Sequence, residues 1–460
     1  DRLYATQFKN LPIGQMEEKF ADYGEVQIKQ LNDRSKMYYT PNKENNVFQL
    51  VVQYGAGERE FPKLGYAAQL MNNAGIMGAY EPQELKEELS KLNATCHVTA
   101  DDDNLYIIME GYEATLPQAC QLLSRQILMP KLDEKQLARL KGSAMGMRQQ
   151  RKDNVSILNE ALRQYMLYGE KSDYIKELTD KEIYELQISE LTGDINRASN
   201  YEAKVFFTGT LPFDQVYDIL SKNLPLVANE RPSNSPQAKD MMPVTENTVY
   251  FLPNNDAEQA QIHLYIPMQK ADKKDDVLRS AFNQYFGLDF TGIVLNEIRE
   301  KRSMAYTAYA FVGTQGIAGK ASYLRGYIGT QNDKANDALD VLMGLVNDMP
   351  KNPERIDNIK SYLRQAMLTS HPSFRNKAME LVDLGYRGYT DDPPKENLPK
   401  VDALTFDDIV KFYEENIKDK PYCISIMGNP KNIDLKRLEK FGKVVKLNER
   451  KLFNTKDALF

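Results

Sequence analysis

Two side chains in the second half of the sequence could act together on a carbonyl group. Arg299 and Tyr306 are seven residues apart, in a segment that has the pattern of an amphipathic helix running into a strand. Seven residues make about two helical turns, so a helix that continued to Tyr306 would project both side chains from one face. A guanidinium and a phenol held together can bind a carbonyl or stabilise an oxyanion.

A structural interpretation of the same pair is also open. Arg299 lies in the charged run at residues 297–302, and such runs are usually solvated helix faces with weak ion pairs. Tyr306 is followed by Tyr309 and Phe311, aromatic residues of the kind that ordinary strands contain. The residue types and their spacing alone do not decide between these interpretations.

The sequence has no local metal motif and no disulfide framework. The three histidines are far apart, in strand-like or loop contexts, and the cysteines form no CxxC pair. We expect each histidine to be exposed or hydrogen-bonded, and each cysteine to be a buried thiol. These residues are His97, His263, His371, Cys96, Cys120 and Cys423.

The elements that must position these residues follow the same order in both halves of the chain. Strand patterns in the first half fall at residues 26–31, 36–40, 47–55, 93–100, 104–111 and 203–209. Helical patterns fall at 61–76, from Pro82, over most of 115–190, and at 213–224. In the second half, strands are predicted at 247–253, 259–267, 307–313, 322–330 and 423–428. Helices are predicted there at 275–302 (in two pieces), 335–349, 353–369, 373–386, 405–417 and 434–441.

This repetition predicts two duplicated domains. FFTGTLPFDQVYDIL and SIMGNPKNIDLKRLEKFG have the pattern of one closing element present twice, and a Pro- and Ser-rich linker at residues 230–246 separates the copies. We place the domains at residues 1–235 and 236–460. Each is expected to be α+β, a mainly antiparallel sheet with helices packed on one face.

Composition narrows the classes of partner. The 460 residues carry a net charge of −6 from 59 basic and 65 acidic side chains, interleaved along the chain. This balance argues against nucleic acid or an anionic membrane as the main partner, and no apolar run is long enough for a membrane span. The first residue is Asp and no signal peptide is visible, so we interpret the chain as processed or as part of a longer polypeptide.

Three segments, in this order and spacing, resemble the pitrilysin/insulinase family of zinc metallopeptidases. They are VVQYGAGEREFPKLGYAAQLMNNAGI, NATCHVTADDDNLYIIMEG and LDFTGIVLNEIREKRSMAYTAYAF. The resemblance covers residues 26–447. It implies one half of such a peptidase, made of two homologous α+β domains, and two such halves close around a peptide.

The metal helix departs from the family pattern. Active members carry His-x-x-Glu-His, whose two imidazoles bind zinc while the Glu activates water. By resemblance, Ala68, Met71 and Asn72 occupy these positions, and the third ligand position falls near Met147 or Arg148. Methyl, thioether and amide groups cannot replace two imidazoles and a general base. The resemblance therefore implies a zinc-free half, the C-terminal one, with zinc expected in a partner half.

The resemblance also assigns roles to the Arg–Tyr pair. Arg299 would donate hydrogen bonds to substrate carbonyls, and Tyr306 would donate to the oxyanion formed at the zinc site of the other half. The implied partners are a zinc-bearing half, in the same polypeptide or a separate subunit, and a peptide substrate. Edge strands could add an extended peptide, with the glycine-containing segments 51–57 and 322–330 as candidates. A non-catalytic scaffold subunit and an autonomous peptide-binding module are the alternatives.

Overall fold

Fourteen strands form two six-stranded sheets and one two-stranded sheet in the computed structural model, which describes residues 17–288, 291–456 and 458. The first eight are β1 (Gln27–Gln30), β2 (Lys36–Pro41), β3 (Val47–Tyr54), β4 (Gly75–Ile76), β5 (Thr95–Ala100), β6 (Leu105–Tyr112), β7 (Pro130–Lys131) and β8 (Ala203–Gly209). The others are β9 (Thr248–Pro253), β10 (Gln259–Lys270), β11 (Thr307–Thr314), β12 (Ala321–Gln331), β13 (Cys423–Gly428) and β14 (Lys443–Lys446).

Helices alternate with these strands. In the first half they are α1 (Leu64–Met71), α2 (Pro82–Lys91), α3 (Leu116–Leu128), α4 (Glu134–Gln149), α5 (Val155–Tyr168), α6 (Asp173–Lys176), α7 (Asp180–Tyr184), α8 (Ile188–Ala198) and α9 (Phe213–Asn223). In the second half they are α10 (Asp276–Phe286), α11 (Ile293–Leu295), α12 (Ala335–Asn347), α13 (Ile356–Thr369), α14 (Lys377–Tyr386), α15 (Pro393–Ala403), α16 (Phe406–Asn416) and α17 (Leu435–Leu438).

Both large sheets are mainly antiparallel. The first has the order β1–β2–β8–β3–β6–β5, in which β2 and β8 run parallel and the other neighbours antiparallel. The second has the order β11–β12–β10–β13–β9–β14, in which β9 runs parallel to β13 and β14. β4 and β7 form the small sheet. This architecture confirms the predicted α+β class with two homologous units.

The alternation of apolar residues decides which face of each sheet the helices cover. In β3, Phe48, Leu50 and Val52 are fully buried on one face, under helices α1, α3 and α8. In β10, Ile262 and Leu264 are fully buried under α10, α12 and α16. Because side chains in a strand alternate between faces, these positions place the main core of each unit on one side of its sheet.

A helix from the first half of the chain covers the other face of the second sheet. Leu158 and Leu162 of α5 are buried against Leu252 of β9 and Met427 of β13. Further along the same helix, Met166 packs with the residues of that sheet face. The first half therefore supplies apolar cover that the second sheet would otherwise lack.

In the same way, helix α14 of the second half covers part of the first sheet. Ala378 is buried beside Val51 of β3 and Phe206 of β8, and Met379 and Val382 pack against the same cluster. The two units thus exchange one helix each. The sequence analysis expected helices on one face of each sheet and did not anticipate this exchange, because the contact joins residues far apart in the chain.

The segment between α9 and β9 contains no helix or strand, in agreement with the predicted linker. It is nevertheless tied to both units. The Met242 N–H donates to the Leu167 carbonyl at 2.7 Å, and the Tyr265 hydroxyl donates to the Met242 carbonyl at 2.9 Å. Lys239 and Gln315 exchange two hydrogen bonds. The predicted division after residue 235 falls within this segment and stays a prediction.

Two local elements differ from the sequence patterns. The helix predicted at residues 61–76 is limited to α1, because the chain turns after Met71 and enters β4. Helix α15 was not predicted, because its sequence begins with two prolines. Proline is well tolerated in a first helical turn, where the backbone N–H has no partner within the helix.

Replacing Leu162 with Ala removes buried methyl groups from the contact between α5 and the second sheet. We expect the free energy of unfolding to fall by about 2–5 kcal/mol. Ser156→Ala, at an exposed position of the same helix, is the matched control and should stay within about 0.5 kcal/mol of the parent. Urea unfolding followed by circular dichroism measures both. Equal, small effects would show that α5 is only loosely docked.

Candidate functional site

The junction between α11 and β11 brings Arg299 and Tyr306 together without a continuous helix. A π-helical turn follows α11 at Asn296–Glu300, and the helix ends before Ser303, whose φ is +51°. The segment is therefore a helix end that runs into a strand, as predicted, and the condition of a helix continuing to Tyr306 is not met. A left-handed residue normally ends a helix as Gly or Asn, so a Ser here is unusual. π turns are frequent at functional sites.

Hydrogen bonds hold this reversal in place. The Ser303 N–H donates to the Arg299 carbonyl at 2.8 Å, and the Met304 N–H donates to the Ile298 carbonyl at 2.9 Å. The Lys334 ammonium donates to the Ser303 carbonyl at 3.2 Å. The Tyr306 N–H then joins the sheet by donating to the Gly329 carbonyl at 2.9 Å. The end of β12 and the helix that follows thus support the loop that carries the pair.

Arg299 and Tyr306 line one cavity of about 430 Å³. Tyr306 is 52% exposed, and the side chain of Arg299 is 44% exposed. The Gln331 amide donates to the Tyr306 hydroxyl at 3.3 Å, which leaves the phenolic proton free to be donated elsewhere. The Arg299 Nε lies 3.6 Å from a Glu300 carboxylate oxygen, an exposed and weak ion pair. Both groups can therefore reach a bound carbonyl.

The three residues at the positions that the resemblance assigns to metal binding have structural roles in α1 and at its end. Ala68 and Met71 are each 1% exposed and belong to the core of the first unit. Asn72 instead faces β5, the last strand of the first sheet. The Val98 N–H donates to Asn72 Oδ1 at 2.8 Å, and Asn72 Nδ2 donates to the Val98 carbonyl at 2.9 Å. The amide therefore imitates a neighbouring strand.

The second unit contains the same arrangement, which we call an Asn clamp. The Val312 N–H donates to Asn283 Oδ1 at 2.7 Å, and Asn283 Nδ2 donates to the Val312 carbonyl at 3.0 Å. Asn283 lies in α10, which precedes edge strand β11 as α1 precedes edge strand β5. Each clamp satisfies two buried backbone groups and closes part of an edge.

The predicted edge candidates for peptide addition are wrong. Residues 51–57 begin in β3, which lies between β8 and β6, and residues 322–330 lie in β12, between β11 and β10. Both strands are already paired on both sides. Glycines in these segments therefore do not mark an open edge. A glycine in the adjacent strand β11, Gly313, is needed for packing, because a Cβ there would lie only 2.9 Å from the Tyr323 ring.

The region of the third ligand position also has no metal-site geometry. Met147 is 62% exposed, and Arg148 pairs with Asp180 at 2.7 Å. Among the residues that the structure describes, no three His, Cys, Asp or Glu side chains are grouped so that they could hold a metal ion.

The histidines and cysteines lie largely as expected. His263 is 4% exposed, its Nε2 is 3.0 Å from Asn159 Oδ1, and burial with the Arg163 and Arg325 charges lowers its pKa to about 3. His97 and His371 are exposed. Cys120 and Cys423 are buried as expected, whereas Cys96 is only partly buried.

A second cavity, of about 630 Å³, lies beside α1 and is lined by charged residues of both signs. The Glu58 side chain in its wall has no ion-pair or hydrogen-bond partner among the described residues. Burial raises the pKa of Glu58 to about 7, and the charges of Asp102, Asp101 and Asp173 add to this shift. Gly65 permits the close packing, because a Cβ there would lie 2.3 Å from Glu58 Oε1.

Comparisons with known proteins agree with this architecture. Residues 199–363 match the family described as the peptidase M16 inactive domain. A peptidase M16 inactive domain from Pseudomonas fluorescens has a TM-score of 0.68 and 17% identity, over 89% of this chain and 99% of that one. A Helicobacter pylori protease has a TM-score of 0.64 and 14% identity, over 88% and 99% of the two chains.

A longer relative is the periplasmic protease PqqL from Escherichia coli. Its TM-score is 0.66 at 12% identity, and the alignment covers 93% of this chain but 50% of PqqL. The chain thus spans about half the length of that protease. None of the curated proteins matches this chain in sequence. Within the described residues, no helix is long and apolar enough to cross a membrane.

The fold defines a class, the two-unit α+β architecture found in peptidase M16 inactive domains. Together with the family match over residues 199–363, it confirms the resemblance to the pitrilysin/insulinase family as a half that lacks the zinc motif.

Replacing Asn72 with Ala leaves the buried N–H and carbonyl of Val98 without partners. We expect the free energy of unfolding to fall by about 1–3 kcal/mol. Gln69→Ala, an exposed position of the same helix, is the control and should stay within about 0.5 kcal/mol. Denaturant unfolding of both variants tests the Asn clamp, which would be contradicted if the two substitutions were equally mild.

Glu58→Gln should change how stability depends on pH. Because the pKa of Glu58 is about 7 in the folded chain and near 4.5 when exposed, the folded state binds more protons between these values. Stability contributed by Glu58 therefore falls as the pH rises through this range. Urea unfolding near pH 5 and pH 8 should show the variant gaining stability relative to the parent at the higher pH. Exposed Glu185→Gln is the control and should show no such gain.

Proposed function

We propose that this chain is the zinc-free half of a pitrilysin/insulinase-type metalloendopeptidase. It would bind peptide substrate and stabilise the transition state of a reaction whose metal is held by a zinc-bearing half. The observation that carries the proposal is the shared cavity of Arg299 and Tyr306, in which both polar ends are accessible. A solvated helix face would also be exposed, but it would not require the two polar ends to line one cavity.

The chemistry of the two groups suits complementary tasks. The Arg299 guanidinium can donate several fixed, charged hydrogen bonds to the backbone carbonyls of a peptide. Tyr306 is oriented by its backbone bond to Gly329 and by Gln331, and its proton can be donated to a carbonyl oxygen that becomes negatively charged. Such a donor is most useful when attack on the peptide carbonyl occurs beside it. The nucleophile and the zinc would come from the other half.

The half-length match to PqqL supports a division of this kind. In that protease, a single chain is about twice as long as the region matched here. The catalytic half could be joined to this chain or be a separate subunit. Residues 199–363 match a family described as an inactive domain. This description fits a half that contributes residues to an active site but does not hold a complete active site.

A non-catalytic scaffold subunit is the second candidate. It is compatible with the burial of Ala68 and Met71 in the core and with the Asn clamp of Asn72. These residues stabilise the fold of the first unit, which a scaffold and a zinc-free half would both require. The Arg–Tyr cavity in the second unit separates the two candidates.

Tyr306→Phe should reduce peptide cleavage by the assembled halves by about 10²–10³-fold in kcat, because one oxyanion donor is lost. Arg299→Ala should mainly raise KM, because it removes contacts made with the bound peptide. Steady-state cleavage of a peptide, with the zinc-bearing half present and saturated with this chain, measures both parameters.

The matched control is Tyr362→Phe, which removes the hydroxyl of an exposed tyrosine in a different cavity. Its kinetics should equal those of the parent. This chain alone should cleave no peptide. Cleavage that is unaffected by Tyr306→Phe and Arg299→Ala would favour the scaffold, and cleavage by the isolated chain would contradict the division between halves.

A further inference from the structure

The second sheet carries a part-exposed face beside α5, which we call the aromatic wall: Tyr309, Phe311, Tyr323, Arg325 and Tyr327 of β11 and β12. The rings of Tyr309 and Tyr327 are 5.3 Å apart, and those of Tyr309 and Phe311 are 6.2 Å apart. The side chains alternate with the buried residues that face α10 and α12. α5 covers β9, β13 and part of β10, the strand next to β12, and leaves the aromatic wall at its margin.

Arg325 is the only cation of the aromatic wall, and it has no anionic partner. Among the described residues, no carboxylate lies within ion-pair distance of its guanidinium and no hydrogen bond to it is formed. The Cζ atom of its guanidinium lies 5.7 Å from the centroid of the Phe311 ring. The nearby Glu160 carboxylate is engaged by Arg163, with a Nε–Oε2 distance of 2.7 Å. Burial and the Arg163 charge lower the pKa of Arg325.

An unpaired, half-buried guanidinium is unfavourable in the chain alone. Burial costs hydration, and the neighbouring Arg163 adds repulsion that the Glu160 carboxylate, itself bonded to Arg163, offsets only in part. An acidic side chain placed on the aromatic wall would supply a compensating carboxylate, and it could form two parallel hydrogen bonds with the guanidinium. An adjacent apolar or aromatic residue would pack on the exposed rings.

The aromatic wall leads to the Arg299–Tyr306 cavity. Arg325, Tyr327 and Gln331 lie on one face of β12, and Gln331 lines the cavity. Gly329, whose carbonyl accepts from the Tyr306 N–H, is four residues beyond Arg325. At roughly 3.3 Å per residue this is about 13 Å, which an extended peptide covers in about four residues.

We propose that the aromatic wall is a specificity subsite for an acidic residue of an extended peptide, with Arg325 as its anion-binding group. The acidic residue would lie about four residues from the bond that is cleaved beside Tyr306. This assignment rests on the proposed function, because it concerns the same peptide substrate, and it adds the chemical class of side chain that the substrate must carry.

Isothermal titration of the full chain tests the subsite without the zinc-bearing half. The probes are a short acetylated and amidated peptide with Phe beside a single Glu, and the same peptide with Gln or Lys in place of Glu. We expect the Glu peptide to bind about tenfold more tightly than the Gln peptide. Arg325→Gln should bring this ratio close to one, and Arg325→Glu should make the Lys peptide the tighter ligand.

Arg355→Gln is the matched control, because Arg355 also lies over an aromatic ring, Tyr285 at 5.3 Å, but in another part of the fold. It should keep the preference for Glu. The proposal is overturned if the parent chain binds the three peptides equally or binds none, or if Arg325→Gln retains the preference. Inorganic phosphate is added as a competitor. If it displaces the Glu peptide at a concentration below that of the peptide, the site binds phosphate and the proposal of an acidic-residue subsite is overturned.

Thermal unfolding separates a binding role of Arg325 from a structural one. Arg325→Gln removes an unpaired charge beside Arg163, so we expect its melting temperature to equal that of the parent or exceed it by about 2 °C. A clearly lower value would mark Arg325 as a structural residue. If the preference for Glu holds while Tyr306→Phe leaves cleavage unchanged, the proposed function fails and the aromatic wall stands. The opposite pattern rejects the aromatic wall alone.

Discussion

The exchange of helices between the two units is the interaction on which the rest of the structure depends. Each sheet has two apolar faces, and the local helices cover only one of them. α5 and α14 cross to the opposite unit and bury part of each second face, with the segment before β9 tied to α5 and β10. Because apolar burial on this scale is the main favourable contribution to folding, the units are stable as a pair. The exchange also places the end of α5 beside β12. The position of this helix end sets one boundary of the aromatic wall.

Much of the fold was predictable from local sequence patterns. Alternation in β3 and the paired runs of β5 and β6 gave these strands within a residue or two, because one buried face imposes a period of two. The exchange of α5 and α14 was not predictable in this way. The apolar stripe of α5 shows that Leu158 and Leu162 are buried, but it does not show which sheet buries them.

The sequence analysis identified the two residues of the site, but it did not give the backbone geometry that brings them together. The resemblance singled out Arg299 and Tyr306, and they do share a cavity, although no continuous helix joins them. A π turn and a left-handed Ser303 connect them instead, and no Gly in the sequence EKRSM signals the reversal. Asn72 was identified only by what it lacks as a zinc ligand. Its role at Val98 depends on strand order, which a single sequence does not give. Arg325 was missed because its lack of a partner is a property of the folded chain.

The Asn clamps have a consequence for how the two sheets meet other molecules. A six-stranded sheet with free borders can join another copy through its backbone, and such contacts grow into aggregates. Here Asn72 and Asn283 occupy part of the border at β5 and β11. The opposite borders are β1 and β14, which are only four residues long and carry lysines. Two asparagine side chains thus help to keep the edges of both sheets from pairing with other copies of the chain.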